Sequence, residues 1–260
     1  MTYLLDHPLL VFVLTFVVLW LSELIGAFLL RKHGNLEEGT REQFGVILAA
    51  ALTLLGLIIG FSFSMAISRY DQRKNCEEAE ANAIGTEYVR ADLLPPADAT
   101  RVRALLKNYL DQRVSFYTTR DEQQLQRIDA DTGQLQAELW STVRAPALAH
   151  PTQVIALAVS GMNDVLNSQG YTQAAWWNRI PAAAWGLMAA IAICCNLLVG
   201  YGARQARGET ILKLVLPFIA SISFFLIADI DSPRGGVIRV HPQNLASLSQ
   251  SLGQGAGPTR

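Results

Sequence analysis

Cysteine and histidine are scarce in this chain, and charge is thin. Its 260 residues hold three cysteines and four histidines, and charged residues make up 17%. Three cysteines build no disulfide framework, and no CxxC pair is present. Cys194 and Cys195 are adjacent inside an apolar run and Cys76 lies just beyond another, where cysteine serves as small apolar filler. His7, His33, His150 and His241 fall outside the apolar runs, and no two have metal-ligand spacing. No glycine-rich phosphate loop follows a strand pattern. Ser62, Ser64 and Ser68 lie in or beside an apolar run without an intramembrane histidine or paired aspartate, which argues against a protease acting within the bilayer. With no catalytic constellation, the sequence reads as a non-enzyme without cofactor or metal. A net charge of −1 gives no support for nucleic-acid binding.

What the chain has is hydrophobic runs. Half its residues are hydrophobic, at 51%, and they are segregated. Four apolar spans stand out: about 8–30, 44–67, 180–201 and 211–228, the last short and containing Lys213. The expected fold class is an all-α integral membrane protein, with four transmembrane helices and a helical extramembrane domain between spans two and three. The first span is too long for the apolar core of a cleaved signal and lacks a basic start, so it reads as a retained helix. The expected division is 1–69 for the first transmembrane pair, 70–178 for the helical domain, 179–229 for the second pair and 230–260 for a C-terminal turn and tail, with Gly253–Arg260 disordered.

The chain is organised around Phe44 to Pro95. Phe44–Ile67 carries no charge, and no proline follows it. The helical pattern continues through Arg69, Arg73, Lys74, Glu77, Glu78 and Glu80 to the Pro95-Pro96 break. One helix, or two nearly collinear ones, therefore passes from lipid into water. Gly56, Gly60 and Ser64 fall four apart and form a small-residue stripe, the pattern of close helix packing. Thr53, Leu57 and Phe61, with Ser64 or Ser68, form a neighbouring stripe. Either the glycines pack helices, or the helix repeats around an axis and lines a pore.

Elsewhere, span one holds Glu23, a costly intramembrane carboxylate that faces a cavity, a partner or the interface. A polar linker is expected over His33–Gln43. After Pro95-Pro96, Asp98 or Thr100 can cap an amphipathic helix through Val102, Leu106, Tyr109 and Tyr117. A second amphipathic run, Leu125 to Val143, is expected to break at Pro146 and Pro151, and Thr152 can cap a third through Ile155, Met162 and Leu166, too short to span. Trp176-Trp177-Asn178-Arg179 marks a membrane interface at the start of span three, Asn196 is a polar residue within it, and a basic loop, Arg204–Gly208, leads to span four. Pro217 sits inside span four, which exits through Asp229, Asp231, Pro233, Arg234 and Gly235-Gly236.

The run Leu54-Leu55-Gly56-Leu57-Ile58-Ile59-Gly60-Phe61, then Ala66, Arg69-Tyr70-Asp71 and Arg73-Lys74, resembles the pore helix of bestrophin channels. The segment from Ser64 to Pro95, with its SMAxSRYDxR and EANAIGTxYxRADLLP patterns, is more closely similar to a bacterial bestrophin-like membrane protein family. The exit of span four resembles both groups. The chain lacks the tryptophan-rich start of the water-exposed helix of true bestrophins and has Arg234 where they often have an aromatic residue. The resemblance implies an oligomeric ion channel, pentameric in bestrophins, whose second helix lines the pore through Thr53, Leu57, Phe61, Ser64 and Ser68. It implies mouth charges at Arg69, Arg73, Lys74, Glu77, Glu78 and Glu80, with inorganic ions and the lipid bilayer as partners and the bacterial inner membrane as location. Both termini would be cytoplasmic, although basic residues near the short linkers slightly favour the opposite orientation. Glu23, Asp229, Asp231 and Arg234 are further functional candidates, the aspartates expected to tie their turn to Arg69 and Arg73. The other reading is a non-conducting scaffold or sensor whose helical domain binds a partner.

Overall fold

The computed structural model describes residues 6–33, 38–202 and 210–254. Among these residues all regular structure is helical: α1 (Pro8–His33), α2 (Glu38–Arg90), a short 3-10 turn (Ala91–Leu93), α3 (Pro96–Thr118), α4 (Glu122–Ala149), α5 (Gln153–Trp177), α6 (Ala182–Gly202), α7 (Thr210–Asp231) and α8 (Gln243–Gln254). Four apolar stretches, in α1, α2, α6 and α7, are long enough to cross a membrane. The protein is an all-α integral membrane protein with a helical extramembrane domain between the second and third spans. α2 is one helix of 53 residues, so the apolar and charged halves of the central stretch belong to a single element. The polar linker is shorter than its composition suggests, because α1 runs to His33 and α2 begins at Glu38. Residues 34–37 and the basic loop Arg204–Gly208 lie outside the described residues.

The chain divides into two compact units, Met1–Tyr70 with Arg179–Arg239, and Asp71–Asn178 with Val240–Arg260. In the first, α1 packs on α6 and α7 around a core that includes Leu19, Trp185, Met188, Phe224 and Ile227, to which α2 adds Leu55 and Ala66. Helices are forced here because lipid offers backbone N–H and C=O groups no partner. Hydroxyls obey the same rule: Thr15, Ser22 and Thr53 each donate to the carbonyl four residues back. α1 and α6 approach backbone to backbone. A Cβ on Gly26 would meet the Leu197 carbonyl oxygen at 2.1 Å, and one on Gly200 the Glu23 carbonyl oxygen at 2.0 Å.

In the second unit, α3, α4 and α5 bury one face each, including Val102, Leu106, Leu110, Leu139, Val143 and Met162. The start of α3 is set by Pro95 as cap and Pro96 in the first turn, not by Asp98 or Thr100. A proline at the first helical position gives up an N–H that had no partner anyway. Asp121 caps α4 by accepting from the Gln123 N–H, and Thr152 caps α5 by accepting from the Ile155 N–H. Pro146 does not break α4, which continues to Ala149, and the His150 N–H reaches the Pro146 carbonyl. Pro146 has no N–H for the Thr142 carbonyl, so α4 gives up that one bond and still runs on to Ala149. α5 has 25 residues, well past Leu166, and ends at Trp177. Of the tryptophan pair, Trp177 is exposed while Trp176 packs on Phe116 and Tyr117. The segment after span four is more than a turn and tail: it contains α8, which takes in Gly253 and Gln254, while 255–260 lie outside the described residues.

Candidate functional site

The apolar half of α2 has two faces. Leu55, Ser62 and Ala66 are buried, with Ala51, Leu52, Ile58 and Ile59 packed beside them. Thr53, Leu57, Phe61, Ser64 and Ser68 are all exposed. At 3.6 residues per turn these five fall on one stripe, roughly opposite the buried one. Leu57 is 51% and Phe61 63% exposed. Only 6% of the most apolar window of α2 is buried within the chain, against 50% for the corresponding window of α7. Gly56 and Gly60 border the exposed stripe, and a Cβ on either would meet nothing within 4 Å. Within one chain they serve no close helix contact; that role falls to Gly26 and Gly200, which no repeated spacing marks in the sequence.

The charged residues after this stripe divide by burial. Lys74 and Glu78 are exposed and Arg69 is partly so. Arg73, Glu77 and Glu80 are buried in the second unit. Glu77 accepts from the Leu245 N–H at 2.9 Å and from Asn244 Nδ2 at 2.7 Å, so it caps α8. Glu80 takes the Arg113 guanidinium, the Tyr117 hydroxyl at 3.3 Å and the Thr172 hydroxyl at 3.1 Å. Burial pushes the Tyr117 and Tyr109 hydroxyls far up, and the Glu80 charge adds to both shifts. Burial works against the charge on Arg113, but Glu80, Tyr109 and Tyr117 together outweigh it and raise the guanidinium above its ordinary value.

Glu23 is buried, and its own carbonyl lies against Gly200. Asn196 is also buried, with its Nδ2 donating to the Ala192 carbonyl. At the exit of α7, Asp229 accepts from the Val237 and Ile238 N–H groups, each at 2.8 Å. Asp231 accepts from the Ile180 N–H at 3.1 Å and lies 4.0 Å from Arg69. Of the two aspartates expected to tie this turn to Arg69 and Arg73, Asp231 reaches Arg69, while Asp229 is bound by the Val237 and Ile238 N–H groups. Arg234 is half-buried. The same turn is held by residues that carry no sequence signal of their own: Asp6 pairs with Arg179 at 2.5 Å and accepts from Ser232 at 3.1 Å.

Among the described residues the arrangement uses its buried hydroxyl–carboxylate contact, Thr172 on Glu80, to hold charge in place. What it offers is a long helix with an unpartnered stripe and, beyond it, a set of fixed charges.

Known structures share this fold. A bacterial bestrophin homologue from Klebsiella pneumoniae, solved as a single-substitution variant, matches with a TM-score of 0.67 at 12% identity, covering 95% of this chain and 99% of that chain. Another structure of a bestrophin homologue from the same organism, phased on zinc, matches with a TM-score of 0.65 at 12% identity, covering 97% of this chain and 99% of that chain. Identity this low carries the fold alone. No curated protein matches the chain. The family model for the Bestrophin-like domain matches residues 9–245, which take in the exposed stripe, the charged half of α2 and the turn after α7, and the chain belongs to that family.

Proposed function

We propose that the protein is an ion channel of the bacterial inner membrane, assembled from several copies with α2 of each lining a central pore. The observation that carries this reading is the α2 stripe. It is exposed, opposite the packed face, and mixes leucine and phenylalanine with Thr53, Ser64 and Ser68. Hydroxyls recur along this face at the spacing of a pore-lining stripe, although that of Thr53 also donates within its own helix. Family and fold support the same reading. By resemblance to bestrophins the ring has five copies, and both termini face the cytoplasm.

In such a ring Thr53, Leu57 and Phe61 form the neck. An apolar ring offers water no hydrogen bonds and gates by dewetting. Ser64 and Ser68 line the widening below, and Gly56 and Gly60 let neighbouring copies approach. At the mouth, Lys74, Glu78 and Arg69 set the field that permeating inorganic ions meet; Arg73, Glu77 and Glu80 act through the fold that holds them.

The test is ion flux through liposomes holding purified protein. Leu57→Ala with Phe61→Ala is expected to raise flux while the oligomer stays intact. Loss of assembly without a gain in flux would assign this face to packing. Equal silence of wild type and variant, both assembled, favours a scaffold.

A further inference from the structure

The second unit holds a carboxylate that the channel reading does not use. Glu87, near the end of α2, has no exposed surface, and neither carboxyl oxygen has a hydrogen-bond partner among the described residues. Such a group is costly as an anion and tolerable as a neutral acid. Ile84 and Ala91 near it on the chain and Ala158, Met162 and Val165 on α5 are all buried.

Across from it stands Gly161 of α5. A Cβ there would lie 2.0 Å from Glu87 Oε2 and 2.6 Å from Arg90 Nη1. The absent side chain is therefore what makes room for both groups. Two charged groups face Glu87: Arg90 from its own helix and Asp164 from α5. Arg90 lies 3.9 Å from Asp164 and makes no hydrogen bond to Glu87. Asp164 is mostly exposed, at 66% of its side chain, and Arg90 is 33% exposed, so the guanidinium has room to change partner.

We propose that Glu87, Arg90 and Asp164 form a proton-dependent latch between α2 and α5. With Glu87 neutral, its carboxyl stays packed over Gly161 and Arg90 leans on Asp164. When Glu87 loses its proton to solvent, the buried anion requires a counter-charge. Arg90, which already shares the space over Gly161 with Glu87, then leaves Asp164 and closes onto the carboxylate.

Burial pushes the Glu87 carboxyl up to about 8; Arg90 works against that shift and Asp164 adds to it. A carboxyl raised in the folded state binds more protons there than in the unfolded chain. Its contribution is therefore fully present below the ordinary carboxyl range and is lost as pH rises towards about 8.

The experiment uses the full chain in detergent or nanodiscs. Infrared difference spectra should show a protonated carboxyl at about pH 6 that is gone by about pH 9.5, a window in which ordinary carboxyls do not titrate. Glu87→Gln should remove that signal. Thermal stability of wild type should fall more steeply over the same window than that of Glu87→Gln. Asp164→Asn leaves the buried carboxyl in place and releases Arg90, so it should move the infrared midpoint to lower pH. That variant decides the matter if Glu87→Gln does not fold. A carboxyl signal that survives Glu87→Gln, parallel stability profiles, or an unmoved midpoint in Asp164→Asn overturns the latch. None of these readouts depends on ion flux, so the latch and the channel stand or fall separately.

Discussion

Glu80 of α2 and Arg113 of α3 meet as a hydrogen-bonded ion pair with neither side chain exposed to any measurable degree. Tyr117 and Thr172 complete the carboxylate, and the guanidinium also lies 4.4 Å from the centre of the Phe116 ring. Removing one partner leaves the other charge buried and uncompensated, which costs about 3–5 kcal/mol. Arg113→Met and Glu80→Gln should each lower the unfolding temperature sharply. The double variant should cost less than the sum, because it leaves no lone charge. Additive costs, read from thermal unfolding of the purified protein, would show that the pair is not coupled.

Glu77 holds the start of α8 through two donors, the Leu245 N–H and Asn244 Nδ2. α8 has 12 residues, a length at which a helix in water is marginal without tertiary support. Glu77→Ala should cost about 2 kcal/mol, the scale of a lost cap with a charged acceptor. The loss should be local. Amide exchange in 243–254 should speed up while α4 keeps its protection. Uniform loss of protection would mean that Glu77 supports the whole unit rather than α8.

Much of the fold is legible in the amino-acid order alone. Four apolar runs and the unbroken pattern from Phe44 to Arg90 specify the spans and α2, because length and lack of charge decide what can enter lipid. Thr53, Leu57 and Phe61 sit on one exposed face for the plain reason that they are four residues apart. The charges are harder. Glu77, Glu78 and Glu80 look alike in sequence, yet only Glu78 is exposed. Glu77 and Glu80 lie on the helical face that also buries Ala81, Ile84 and Ala91, but the partners that satisfy them, Asn244 and Arg113, are distant in the chain and leave no local mark. Asp6 and Arg179 are similar: an ion pair 173 residues apart has no local signature. Pro146 misleads because a proline signals the end of a helix, but not which side of the last turn it occupies.

Asp229 and Asp231 define the exit of α7 by different means. Asp229 closes the turn on itself through Val237 and Ile238, whereas Asp231 reaches the backbone of Ile180, before α6. Asp229→Ala leaves two N–H donors without an acceptor and should destabilise by about 2–3 kcal/mol. Asp231→Asn keeps an acceptor for Ile180 but drops the charge facing Arg69. That exchange should cost less than Asp229→Ala, since the acceptor for Ile180 is kept and the charged partner stands 4.0 Å away. Equal losses in thermal unfolding would mean that charge, not backbone capping, is what these residues supply.

Two pairs of glycines make the last test, because the pair that the sequence marks by its spacing, Gly56 and Gly60, is not the pair that packs helices within the chain. Gly26 and Gly200 each face the backbone of the opposing helix, at 2.1 Å and 2.0 Å for an added Cβ. Backbone cannot rotate away as a side chain can, so α1 and α6 would have to separate. Gly26→Ala or Gly200→Ala should cost about 3 kcal/mol, the upper end for overpacking a tight contact. Gly56 and Gly60 have open space where their Cβ would be. Gly56→Ala with Gly60→Ala should leave the single chain's fold intact, and slightly favour the helix, since alanine is the better helix former. If copies of α2 approach one another through these glycines, that same double variant should still loosen or block the oligomer. Thermal unfolding and oligomer mass, measured on both sets, separate the two roles. An unchanged oligomer in the Gly56→Ala, Gly60→Ala protein would remove the glycines from any contact between copies and leave the neighbouring stripe, Thr53 to Ser68, as the face to examine.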